Sequence, residues 1–163
     1  MRNYSKISPV IISVLLGMLL MVSCIKSEPP DYNTVQKYFD DNESNIRIIT
    51  EYLALSNYEN VYIDAPNGYM LADLKQIQIA DNDVMFALKQ ILTTTGCKHI
   101  HKRGNTISLL LWNNNQDVGC GIAYSIDKTT EPIIEFVTQI DSLSSDGWYY
   151  YVSDYNKWRS QHS

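Results

Sequence analysis

Cysteine, cations and long apolar runs are all scarce in this chain, and each shortage narrows what it can be. Three cysteines in 163 residues are too few for a disulfide-dense secreted scaffold. Seven glycines and five prolines exclude collagen-like and low-complexity chains. The apolar run Val10 to Val22 is broken only by Ser13 and Gly17. At about 13 residues it is shorter than the roughly 20 that a membrane-spanning helix needs. Lys and Arg number 13 against 18 Asp and Glu, so the basic patch that nucleic acid requires is not expected. There is no G-x-S-x-G elbow, no Gly-rich phosphate loop and no C-x-x-C pair. No cofactor and no metal are expected.

The most specific message lies at the start. Arg2 and Lys6 form a short positive region with no acid before Glu28, the apolar run follows, and Ser23 precedes Cys24. That order marks an export signal. Met21-Val22-Ser23-Cys24 resembles the lipobox of bacterial lipoproteins, with Met21 where Leu is usual. The resemblance covers only the first 24 residues. It implies a signal peptide over 1–23 and a diacylglycerol on the Cys24 thiol. It also implies a domain outside the cytoplasm, anchored at the bacterial cell membrane or envelope. Two acyl chains suffice for stable anchoring where one does not. The competing reading is an uncleaved anchor from Ile7 to Ile25.

Without Arg2 and Lys6 the mature part holds 11 Lys and Arg against 18 acids, a net charge of −7. Such a charge does not adhere to anionic lipid by itself, and an anchor makes adhesion unnecessary. Residues 24–32, with Pro29-Pro30, read as a short semi-rigid tether. Residues 33–163 read as one domain, long enough to bury a core.

The spacing of Val35, Tyr38, Phe39, Ile46, Ile49 and Leu53 predicts a helix over Asn33 to Leu55, capped by Asn33 or Thr34 and interrupted or frayed at Asp40 to Ser44. Glu59 to Asp64 reads as a strand, and Ala65-Pro66-Asn67-Gly68 as a turn. Tyr69 to Ala80 fits a short helix or a strand. Asp81 to Thr95 reads as the second helix, capped by Asp81 or Asn82 and stopped by Gly96. Lys98 to Lys102, Thr106 to Trp112 and Val118 to Ile126 read as strands of a meander. Ile133 to Ile140 reads as helix, then strand. Asp146-Gly147 predicts a hairpin turn before a strand from Trp148 to Val152, and Asp154 caps a terminal helix. The class that follows is α+β: two main helices on a mostly antiparallel sheet.

The candidate functional residues are few. In the meander, Cys97 and Cys120 flank the strand of Leu110, about 9 to 10 Å apart. A disulfide spans Cα atoms within about 7 Å, so both are expected as free, buried thiols. His99 and His101 fall on one face of a strand. They could share a metal, but no third ligand is evident and they are expected to face solvent. Gly119 and Gly121 within a strand mark a bulge or a close backbone approach. Trp148-Tyr149-Tyr150-Tyr151 is the candidate binding stretch: Trp148 and Tyr150 face one way, Tyr149 and Tyr151 the other, with one pair in the core and the other exposed for a partner. The expected function is a non-enzymatic binding or interaction module of the cell envelope, with a protein, peptide or glycan as partner. The alternatives are an envelope enzyme with a site assembled from distant residues such as Cys97, His99 or the acids, and an inhibitor or immunity-type protein.

Overall fold

The computed structural model describes residues 28–114 and 117–162. Cys24 and the signal-like segment lie outside the described residues. The domain is α+β. Its elements in order are α1 (Tyr32–Leu55), β1 (Asn60–Ile63), β2 (Tyr69–Ala72), β3 (Lys75–Gln78), α2 (Asn82–Lys89), a π-helical turn (Gln90–Thr94), β4 (His99–Arg103), β5 (Thr106–Asn113), β6 (Val118–Ser125), β7 (Val137–Ser142), β8 (Trp148–Asp154) and α3 (Tyr155–His162). The eight strands form one sheet in the order β3-β2-β1-β4-β5-β6-β8-β7, and every neighbouring pair is antiparallel.

Helix α1 starts one residue earlier than the sequence predicts. Asp31, not Asn33 or Thr34, is its cap, accepting from the Thr34 amide at 2.8 Å. The acidic stretch Asp40 to Ser44 does not break it. Lys37 bonds Asp41 and Arg47 bonds Glu43, each at 2.7 Å one turn away, and such spacing supports a helix. Val35, Phe39, Ile46, Ile49 and Leu53 are buried along one stripe. Asp81 caps α2, and Gly96, at φ +83°, ends the helical segment.

Two ambiguous segments resolve as strands. Tyr69 to Ala80 contains the hairpin β2–β3, with Met70 and Ala72 buried at period two. Its two turn residues, Asp73 and Leu74, both have positive φ, the geometry of a tight hairpin turn. Asp73 is held by its backbone N–H to Asn60 O, and its carboxylate accepts from the Asn60 N–H, each at 2.9 Å. In the second segment no helix forms before β7. Pro132 is buried, and Phe136 at φ +55° lies outside the helical region.

Strand register sorts side chains onto two faces, because partners directly opposite point the same way. The rows Ile100–Leu109–Ile122–Tyr150 and Lys102–Ile107–Tyr124–Trp148 lie under the helices. Phe39 of α1 meets Trp148 with ring centroids 4.9 Å apart. Lys102 is 5 % exposed in this layer. Its ammonium donates to Leu53 O and Ser56 O, both at 2.9 Å, and to Ser56 Oγ at 3.2 Å. The cation thus adds to the cap at the C-terminus of α1, where Leu53 O also accepts from the Ser56 N–H and hydroxyl. Lys102→Met keeps the aliphatic stem and removes the donors. It is expected to cost about 2–3 kcal/mol of stability in urea unfolding; an unchanged midpoint would show that these contacts carry no net energy.

Candidate functional site

The opposite face of the sheet carries the rows His99–Leu110–Gly121–Tyr151 and Tyr62–His101–Ser108–Ala123–Tyr149. The segment after β6 crosses this face. Its start is tied down by Asp127, whose carboxylate accepts from the amides of Thr129 and Thr130 and from both hydroxyls of Thr130 and Ser125. These bonds hold the Asp127 carboxyl well below the usual carboxylate range. Further on, the Ile133 amide donates to Thr106 Oγ1 at 2.9 Å, and Arg103 pairs with Glu135. The crossing segment and the sheet enclose a cleft of about 230 Å³.

His99 and His101 of β4 line one wall, with Ser108 and Leu110 of β5 beside them. Tyr151 and Ser153 of β8 close the far side, and Ile133, Ile134 and Glu135 cover it. The Tyr62 ring leans on both imidazoles, with centroids 5.0 Å from His99 and 6.3 Å from His101. Burial lowers the pKa of each imidazole; the neighbouring His101 adds to this at His99, and Arg103 adds to it at His101. Both rings are therefore neutral at pH 7, each with one N–H and one bare nitrogen to offer. Burial pushes the Tyr151 phenol above its ordinary range, so it stays protonated and can donate. A second hollow of about 730 Å³ adjoins the cleft, sharing Arg103, Thr106, Ile133 and Glu135 and adding Glu59, Asn60 and Glu131.

The histidines expected to face solvent are thus half-buried in a cleft. Among the described residues no group of three His, Cys, Asp or Glu is placed to hold a metal. Cys97 and Cys120 are free and buried. Burial pushes the Cys97 thiol up to about 12 and the Cys120 thiol up to about 11, far from the thiolate character a nucleophile needs.

The aromatic strand differs from expectation in its exposure. Trp148 and Tyr150 are core residues, 1 % and 3 % exposed, but Tyr151 on the other face is buried as well, at 4 %. Tyr149 alone is half-buried. No exposed aromatic pair forms, because the crossing segment at Ile133 to Glu135 lies over the face that carries Tyr151. Of the four residues, Tyr151 is the one that lines the cleft. Tyr62 escaped sequence reasoning: its place beside the histidines depends on β1 pairing with β4, which sets Tyr62 opposite His101, 39 residues further along the chain. Period two in Val61 and Ile63 already assigned Tyr62 to the face opposite the core.

Among the described residues no helix is long and apolar enough to cross a membrane. Compared with family models, curated proteins and solved structures, the chain matches none.

Proposed function

We propose that this protein is a lipid-anchored binding module of the bacterial cell envelope, held by Cys24, which takes its ligand in the cleft of His99, His101 and Tyr151, with the Tyr62 ring packed beside the two histidines. The anchor rests on the first 24 residues. The cleft rests on one observation: two half-buried, neutral imidazoles under a tyrosine ring, bonded to no other side chain among the described residues. The imidazole nitrogens reach solvent in the open cleft, since Trp148 Nε1 is the one buried side-chain polar atom without a partner among the described residues, and a ligand that hydrogen-bonds them takes the place of that water. A cleft of about 230 Å³ is below the roughly 300 Å³ at which pockets begin to enclose a whole small molecule. It fits one sugar ring of a glycan or one side chain of a peptide, bonded by the imidazoles and the Tyr151 hydroxyl, with Tyr62 holding the imidazoles in place.

A thermal-shift screen of sugars, short peptides and divalent metals tests this. A ligand that stabilises the wild type is expected to lose at least about tenfold in affinity, or 1.4 kcal/mol, in His101→Ala and Tyr62→Ala, whose side chains lie outside the core. A ligand bound equally well by both variants would place recognition elsewhere. The mass of the membrane-extracted protein, beside Cys24→Ala, tests the anchor separately.

A further inference from the structure

Three aromatic residues meet at the α3 end of the sheet, at a place that the cleft does not use. Phe136, before β7, stacks edge-on against Tyr155 and Trp158 of α3, with centroids 4.9 and 5.3 Å away. Phe136 and Tyr155 each remain 38 % exposed, and no residue of α3 is buried. Phe136 reaches this position at φ +55°, a conformation that costs a bulky residue of order 1–3 kcal/mol. Helix α3 carries cations close to these rings. Its sequence, Tyr-Asn-Lys-Trp-Arg-Ser-Gln-His, holds two cations and no acid, in a chain of net charge −5. Asp117 and Asp154 sit only at its start, where they serve Asn156 and the Lys157 amide.

The tether enters the domain at the same end of the sheet. Pro30 O accepts from the Tyr150 hydroxyl at 3.1 Å and lies 3.9 Å from Cys120 Sγ. Cys120 is opposite Val152, two residues before Asp154, and Val118 is opposite Asp154 itself, where α3 begins. The six residues from Cys24 to Pro30 reach at most about 20 Å. An acylated Cys24 would therefore keep this end close to the bilayer.

We propose that Phe136, Tyr155 and Trp158, flanked by Lys157 and Arg159, dock on the anionic phospholipid surface that holds the anchor. This rests on the lipid-anchored reading. Trp and Tyr favour the headgroup level because one edge of the ring is apolar and the other polar, and each nearby cation adds attraction to anionic lipid. Docking fixes the orientation of the domain, which a six-residue tether alone leaves free.

The test uses the full chain, exported with its signal, extracted and reconstituted into vesicles of phosphatidylglycerol and brominated phosphatidylcholine. Its mass is read first. Bromine quenches tryptophan emission at short range. The wild type should be quenched, and the greater part of that quenching should vanish in Trp158→Phe and fall in Lys157→Gln/Arg159→Gln. Quenching that persists in Trp158→Phe, or its absence from a wild type whose mass shows acylated Cys24, overturns the docking surface. An unacylated mass overturns the anchor and the docking with it, and the two failures are distinguished by that mass.

Discussion

Trp148→Ala is expected to lower the stability of the domain by about 4 kcal/mol, read as a shift of the urea midpoint. Few positions concentrate as much packing. The indole is 1 % exposed, lies 4.9 Å from Phe39 and 4.5 Å from Tyr124 by ring centroids, and carries the Arg47 guanidinium 5.8 Å above it. Truncation removes the ring contacts to Phe39 of α1 and Tyr124 of β6 and leaves a cavity too large to collapse. Because domains are stable by only about 5–15 kcal/mol, the variant should be partly unfolded at physiological temperature. Trp148→Phe is the informative control. The indole Nε1 is buried with no partner among the described residues, so phenylalanine gives up ring volume but also removes a desolvated donor that costs about 1–3 kcal/mol. Its loss should be well under half that of alanine. Equal losses would mean that the indole N–H is bonded and that area is not the main term. A Trp148→Ala variant that fails to bind a partner therefore reports on folding.

Gly121→Ala is expected to cost about 3 kcal/mol, while Gly119→Ala, two residues away on the same strand, should cost less than about 1 kcal/mol. A Cβ at 121 would collide with the Leu109 carbonyl oxygen, and would lie 3.0 Å from its carbon and 3.2 Å from Leu110 Cα. All three atoms are backbone of the neighbouring strand, and no rotamer change relieves them. At Gly119 the nearest atoms are Leu110 Cδ1 at 3.0 Å and Ser153 Oγ at 3.3 Å, the mobile ends of side chains. The difference follows from the irregularity of β5. Its register against β6 shifts between Leu110 and Trp112, and the extra residue presses the backbone of Leu109 and Leu110 toward Gly121. Denaturation of the two variants side by side checks the contrast. If Gly119→Ala is the more damaging, the strand has relaxed differently and the bulge does not explain the glycines.

Where local pattern and tertiary demand agreed, the sequence could be read directly. The stripe from Val35 to Leu53, the Asp81 cap, the Gly96 stop and the Asp146-Gly147 turn each encode their element within a few residues, and each is found. The strands from Lys98 to Ile126 were legible for the same reason; glycine at 119 and 121 pointed to a bulge or a close backbone approach, and at Gly121 the close approach is found, with the extra residue in β5. Reading failed where two periods competed. Leu71, Leu74, Ile77 and Ile79 suit either element on paper. The β2–β3 hairpin prevails because Met70 and Ala72 find a core under α1 and α2, and because Asp73 ties the turn to Asn60. Ile133 to Phe136 looked helical, but it is used as a strap across the sheet, with Pro132 buried and Ile133 83 % exposed.

The sequence by itself determined the α+β class, the helix that covers the sheet, the buried thiols and the alternation that puts His99 and His101 on one face. These depend on period and on capping, which operate over a few residues at a time. Only the tertiary structure decided what that face does. Whether an outward tyrosine is exposed or covered depends on which distant segment lies over it. Thus Tyr151 became the wall of a cleft, Tyr62 was brought to the histidines by the pairing of β1 with β4, and Lys102 was drawn under α1 to bond its last carbonyls. No local pattern records those meetings, because they are fixed by the pairing of strands far apart in the chain and by what each layer must cover.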